Sequence, residues 1–443
     1  MIYLDNAATS CPKPAVVVAA VTQALENVCA NPSRGAYEIS LEASRTIMRT
    51  RRALAHLFNA ADESRVLFTL NATHALNLAL KGLLTRGSRG DGRSRLARPR
   101  HVVTSSLEHN SVARPLAALE RQGVEVTRVR CAADGTTTQA DILAAVRDDT
   151  ALVALTHASN VLGTLLPIAE VGVALRDRGI PLLVDAAQTA GVFPIDMQEM
   201  GISLLATSGH KGLQGPQGVG ILCVSPELEL ETLVEGGTGS ESESLEHPSV
   251  CPDRHEAGTL NGPGIAGLGA GVKVVQQESP AAIGRREYRL TARLVAHVQH
   301  TDAIRVFGPW ASGQLSVDKV PADPLTANKN GQRETHEEEV DASRDAQWLP
   351  PCAPLISLAI DGLASAEVAR ILDKQFHIAV RAGLHCAPEA HRAAGTLETG
   401  LVRLSVGHAT TEAEIDQAAE ALLEIASRPA AYWLQEWSGH YAP

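Results

Sequence analysis

The chain has 443 residues, of which 44% are hydrophobic, 20% charged and only 3% aromatic, enough for one large or two medium domains with cores built mostly from Ala, Val, Leu and Ile. A formal net charge of -11 argues against direct nucleic-acid binding, because phosphate contacts need clustered Lys and Arg. The seven cysteines are odd in number, scattered and without a C-x-x-C, which excludes a common zinc spacing, disfavours a disulfide framework and fits a reducing, cytoplasmic setting.

The opening MIYLDNAATS has no basic flank before an apolar stretch, so it does not read as a signal peptide, and no run approaches the roughly 18 apolar residues that span a bilayer. Val17, Val21, Leu25 and Val28 recur at helical spacing and predict a helix over 14–28; another fits 38–57. From about 64 to 270, short apolar runs alternate with amphipathic stretches: RVLFTL before NATHALNLALKGLL, HVVTSS before SVARPLAALERQG, ALVALTHAS before PIAEVGVALRDRG, then PLLVDAAQ, SLLATSGHK and GVGILCV. That alternation predicts crossover units and a mostly parallel sheet covered on both faces. Residues 86–100 read as a basic, Gly-rich solvated loop, and about 311–350 as a long polar insertion. LISLAID, SAEVARILDKQFHIAV, LVRLSVG and EAEIDQAAEALLEIA predict strand, helix, strand and helix. The chain thus divides into an N-terminal arm of residues 1–30 joining the small domain, a large domain of 31–275, and a small C-terminal domain of 276–443.

Two strand ends carry chemistry, and in open α/β sheets ligands sit at strand carboxyl ends. PLLVDAAQ delivers Asp185, with Gln188 three positions on; ATSGHKGLQG places Ser208, His210 and Lys211 in a Gly-rich turn. Asp185 alone could be a helix cap or half of an ion pair. Together with Lys211 it suits pyridoxal phosphate, which needs a lysine, an acid for the ring nitrogen and donors for the phosphate. Asn71, Ala72 and Thr73 precede an apolar helix whose first N–H groups can bind an anion.

Cys386, in RAGLHCAP, has three readings: a zinc ligand with His385 and His391, a small buried residue, or a nucleophile. Zinc lacks further partners at a familiar spacing, and the segment has no apolar periodicity. A nucleophile is favoured by positive charge from Arg381 or a protonated His385, and a loop can carry the thiol to a substrate and away again.

LDNAAT, FTLNATHALNLA, SLEHNSV, THASNVLGT, VDAAQTAG, SGHKGLQGPQGVG, RHEAGTLNGPG and RAGLHCAP occur in this order. The chain resembles the class V aminotransferase family, and within it the cysteine desulfurase and selenocysteine lyase branch, from residue 2 to about 425 outside the two polar inserts. The resemblance implies an α/β fold, the pyridoxal-phosphate-dependent transferase type I fold, with a mostly parallel sheet in the large domain and a smaller α+β C-terminal domain. It implies that Lys211 holds pyridoxal 5'-phosphate covalently and shuttles the Cα proton, that Asp185 pairs with the ring nitrogen and Gln188 with the ring hydroxyl, and that His109 stacks on the ring. Ala72 through its N–H, Thr73, Ser208 and His210 would hold the phosphate. Thr259 would reach the phosphate of a neighbouring subunit, making a homodimer part of the site. Asn160, Arg381 and Arg403 would bind the substrate carboxylate. The implied reaction converts L-cysteine to L-alanine with a persulfide on Cys386, passed to an acceptor protein or thiol in iron–sulfur cluster assembly, tRNA thiolation or another pathway. Selenocysteine lyase, an aminotransferase or epimerase, and a non-catalytic scaffold are the alternatives; Lys211 together with Asp185 speaks against the scaffold. Many relatives have Gly-Thr-Thr-Glu where Asn71-Ala72-Thr73-His74 stands, so one phosphate-binding hydroxyl is missing here.

Overall fold

The computed structural model describes residues 1–32, 35–85, 101–312, 315 and 350–435. The expected loop at 86–100 and most of the expected insertion at 311–350 lie outside the described residues. The strands are β1 (Ile2–Tyr3), β2 (Val66–Thr69), β3 (His101–Ser105), β4 (Glu125–Val129), β5 (Thr150–Thr156), β6 (Leu182–Asp185), β7 (Leu204–Ser208), β8 (Gly220–Val224), β9 (Ile304–Phe307), β10 (Leu355–Ile360), β11 (Ile378–Ala379), β12 (Arg381–Gly383) and β13 (Leu401–Ser405). The helices are α1 (Ala15–Asn27), α2 (Glu38–Leu57), α3 (Ala72–Leu84), α4 (Asn110–Glu120), α5 (Gln139–Ala144), α6 (Ile168–Arg176), α7 (Gly262–Glu278), α8 (Pro280–Val298), α9 (Ser365–Phe376), α10 (Pro388–Ala393), α11 (Glu412–Ser427) and α12 (Ala430–Gln435).

Seven strands form the main sheet in the order β2-β8-β7-β6-β5-β3-β4. Only β8 runs against the others, pairing antiparallel with both β2 and β7. Side chains alternate across a strand, so each strand feeds two cores. In β5, Val153 and Leu155 pack with α2, α6 and α7 on one face, while Leu152 and Ala154 pack with α3 and α4 on the other. That double burial explains why these strands read as unbroken apolar runs.

A second sheet, β12-β13-β10-β9, is antiparallel and is covered by α8, α9 and α11 around a core of its own. The first residues join this part: β1 pairs parallel with β11, and Asp5 bridges to Ser405. A segment of two strand residues thereby brings LDNAAT between the two sheets. The fold is mixed α/β with a mostly parallel central sheet, as the sequence predicts.

Candidate active site

Five chain segments leave the main sheet on one edge and meet the second sheet there. A cavity of about 240 Å³ lies between them, lined by Ala72 and Thr73 after β2, His109 after β3, Asn160 after β5, Asp185 at the end of β6 and Gln188 beyond it, Ser208 at the end of β7 with His210 and Lys211 beyond it, and Arg381, His385, Cys386 and Arg403 from the second sheet and the loop after β12. Every expected site residue except Thr259 therefore faces one space. Thr259 is exposed and lines a separate cavity of about 490 Å³ formed with α1 and α2.

The anion end is built by local geometry. Asn71 caps α3, its Oδ1 accepting the His74 N–H at 2.9 Å, which leaves the helix N-terminus facing the cavity. Gly220 in β8 allows this: a Cβ there would lie 2.3 Å from the Asn71 carbonyl carbon. The buried Ser208 Oγ and His210 Nδ1 have no hydrogen-bond partner among the described residues, although buried polar groups are normally satisfied. Burial pushes the His210 imidazole down to about 4, so it is neutral at pH 7.

His109 is fixed by its own helix. Its Nδ1 accepts the Ser111 N–H at 3.1 Å as the cap of α4, which puts the neutral ring's proton on Nε2. Burial, then Lys211, Arg381 and Arg403, hold this ring down to about 4. The Asp185 carboxyl is raised by burial, opposed by the Ala187 N–H that its Oδ1 accepts at 3.0 Å and by Lys211. Lys211 is pushed down to about 8, by burial first, against the attraction of Asp185.

Arg381 and Arg403 are direct register partners on β12 and β13, two like charges side by side. Asp5 stands between them, with Oδ1 at 2.9 Å from Arg403 Nη2 and Oδ2 at 4.0 Å from Arg381 Nη1. One carboxylate for two guanidiniums leaves a positive surplus, which suits a substrate carboxylate. Asn160 holds this cluster as well as facing the cavity: its carbonyl accepts Arg403 Nη1 at 2.9 Å and its Nδ2 donates to His385 O at 2.7 Å.

The Cys386 loop differs from the sequence expectation in two respects. His385 is buried and pushed down to about 3, by burial and then Arg403, so it is neutral and cannot supply the positive charge expected of it. Its ring stacks on that of His391 with centroids 5.6 Å apart, and His391 Nδ1 pairs with Thr396 Oγ1 at 2.9 Å, so the two histidines are a structural support rather than a metal pair. The loop is also tied down: His385 and Cys386 have φ of 51° and 57°, and Cys386 O accepts the Asn110 N–H at 2.7 Å. Two successive non-glycine residues in the left-handed region are uncommon and need such anchoring. Cys386 itself is exposed at the cavity.

Three contributors escaped the sequence reading. Lys13 Nζ donates to His210 O at 2.9 Å and to Ser10 Oγ at 2.7 Å, gripping the peptide that carries Lys211. Asp5 reaches Arg403 across 398 positions. Glu108, buried behind His109, accepts the Ser105 hydroxyl at 2.6 Å and the Thr156 N–H at 3.0 Å, and burial raises it to about 8. Only the motifs LDNAAT and SLEHNS pointed near Asp5 and Glu108.

The family model for aminotransferase class V matches residues 2–329 and 322–418. A probable cysteine desulfurase of Methanothermobacter thermautotrophicus is 34% identical over 431 residues, spanning 96% of this chain and 94% of the relative. The cysteine desulfurase IscS of Pseudomonas entomophila is 35% identical over 314 residues, 69% of this chain and 71% of that protein. Among solved structures, the apo cysteine desulfurase of Thermococcus onnurineus NA1 superposes with a TM-score of 0.81 at 28% identity, covering 96% of this chain and 94% of that one. Matched along nearly its whole length, the chain belongs to the class V aminotransferase family.

Proposed function

We propose that the protein is a pyridoxal 5'-phosphate-dependent cysteine desulfurase that converts L-cysteine to L-alanine and leaves the sulfur as a persulfide on Cys386. The observation that carries this reading is that Lys211, Arg381, Arg403 and Cys386 open on one cavity, so an amine, a carboxylate clamp and a thiol address the same small molecule. The cysteine desulfurases among its relatives support it.

The donors fit the cofactor. Ser208 Oγ and His210 Nδ1, buried and unpartnered among the described residues, join Thr73 and the N–H of Ala72 as phosphate ligands. Asp185 is a buried carboxyl that a cationic ring nitrogen would satisfy, Gln188 lies ready for the ring hydroxyl, and the neutral His109 ring supplies a stacking face. When bound, the cofactor supplies an electron sink for the charge left at Cα. Lys211 would hold it covalently and, when its amine is free, would take and return the Cα proton at Nζ; an amine near 8 is well placed for both. Arg381 and Arg403 bind the carboxylate with their planar forks, and Asn160 keeps Arg403 aimed. Cys386 attacks the substrate sulfur as its thiolate, forming an S–S bond as the S–Cβ bond breaks, and Cβ keeps that bond's electron pair and takes up the proton the thiol gave. L-Cysteine plus thiol then gives alanine plus persulfide with no electron or proton left over.

Thr259, exposed beside α1 and α2, would serve the phosphate of a second copy, so the working unit is a homodimer. An acceptor protein or thiol removes the sulfur in the cytoplasm; no described helix is long and apolar enough to cross a membrane. The separate cores around the two sheets support a large domain of 31–275 and a small one of 276–443, and Ile2 and Leu4 in the second core support an arm of residues 1–30 that joins the small domain.

Incubation of the purified protein, loaded with pyridoxal phosphate, with L-cysteine and with L-selenocysteine tests the reading. Alanine from cysteine, lost in Lys211→Ala, is expected. No alanine from cysteine, but turnover of selenocysteine or amino transfer to a keto acid, would replace it with one of those activities.

A further inference from the structure

Lys211 faces two cavities. Besides the substrate space, it lines a smaller one of about 40 Å³ beside the Lys211 turn, walled by the N-terminal arm, α8 and the ends of β10 and β13. Its polar lining comes from Asn6, Ser10, Gln188, Gln214, Glu287 and Ser405. At roughly 10–15 Å³ for each water centre, this space holds about three waters. Glu287 is 3% exposed, and no hydrogen bond to its carboxyl occurs among the described residues. A carboxyl so buried and unpartnered is costly unless it is neutral or meets water. Among the described residues, Lys211 and Glu287 are the only ionisable side chains on this cavity's wall.

We propose that this smaller cavity is a water-filled proton reservoir in which Glu287 exchanges protons, through water, with the Lys211 amine during turnover. The proposal rests on the reading of Lys211 as the group that takes the Cα proton. Glu287 touches no substrate and acts only through Lys211. The exchange is balanced: the Lys211 ammonium gives a proton to a water that passes one on to the Glu287 carboxylate, and the reverse transfer restores both. Burial raises the Glu287 carboxyl to about 8, opposed by Arg286 and reinforced by Glu278, and Lys211 is lowered to about 8, so neither direction of transfer is strongly uphill. Protons can then reach Lys211 through a cavity other than the one the substrate occupies.

The test uses L-cysteine carrying deuterium at Cα, turned over by the loaded enzyme in ordinary water, with deuterium in the product alanine measured by mass spectrometry. Wild type is expected to wash out most of the label. Glu287→Gln, which keeps size and hydrogen bonding but cannot exchange a carboxyl proton, and Glu287→Leu, which fills the space, should retain severalfold more. Equal retention in wild type and both variants overturns the reservoir. Absence of alanine from wild type would instead overturn the desulfurase reading on which it rests. A second measurement needs no turnover: the cofactor-free wild type at pH 6 should show a carboxylic-acid infrared band that Glu287→Gln lacks. If no such band is lost, Glu287 is ionised there and the reservoir is refuted.

Discussion

Replacing Glu108 by Gln should change stability in a way that depends on pH and reverses common expectation about removing a charge. The carboxyl is 3% exposed; Oε1 accepts from Ser105 and Thr156, and Oε2 has no partner among the described residues. Glutamine keeps the accepting oxygen and the shape. Burial raises the folded-state pKa to about 8 from 4.5, so the stability tied to this proton is complete below 4.5 and lost as pH rises through 8. Across that window wild type loses about 1.4 kcal/mol for each pH unit, or about 4 kcal/mol between pH 5 and 8, while the variant does not. Urea unfolding of both proteins at pH 5, 6, 7 and 8 should show similar midpoints at pH 5 and a growing advantage for Glu108→Gln above it. A midpoint difference that stays constant with pH would mean that Glu108 is already ionised in the fold, refuting the argument from burial.

Other perturbations follow from the same geometry. Arg51 and Glu256 form a buried two-bond pair at 2.8 Å, and Glu256 Oε1 also accepts the Phe68 N–H at 2.7 Å. Glu256→Gln should cost about 3–5 kcal/mol by stranding the Arg51 charge, and adding Arg51→Met should restore part of it; a double variant no better than the single would contradict this. Asp5→Asn removes the charge partner of the buried Arg403 and should raise the KM for L-cysteine about 10- to 100-fold with less effect on kcat, consistent with about 1.5–3 kcal/mol for a hydrogen bond between charged groups; an unchanged KM would show that Arg403 holds its aim without Asp5. Gly220→Ala pushes against the Asn71 turn and should weaken pyridoxal phosphate binding at least about tenfold in equilibrium dialysis, whereas unaltered binding would remove α3 from the phosphate site.

The large sheet was legible because strands buried on both faces are apolar throughout, and because Asp185, Ser208 and Lys211 sit at or just beyond their ends. The lone reversed strand was not: GVGILCV reads the same in either direction, and only pairing with β2 and β7 sets its sense. Arg381 and Arg403 were found through motif resemblance, but the carboxylate partner of Arg403 was hidden by 398 positions of chain. His385 shows the opposite failure, since proximity in sequence to Cys386 suggested a charge that burial forbids. Thr259 lies outside the cavity that gathers the other expected residues, and nothing in local spacing told that in advance.

The most direct test of the central claim is mass spectrometry of the cysteines after the loaded enzyme meets L-cysteine without an added acceptor. One extra sulfur atom on the peptide bearing Cys386, formed together with alanine and lost in Cys386→Ala while the bound cofactor's absorption spectrum is retained, is the predicted result. Alanine and sulfide released at the wild-type rate by Cys386→Ala would contradict it.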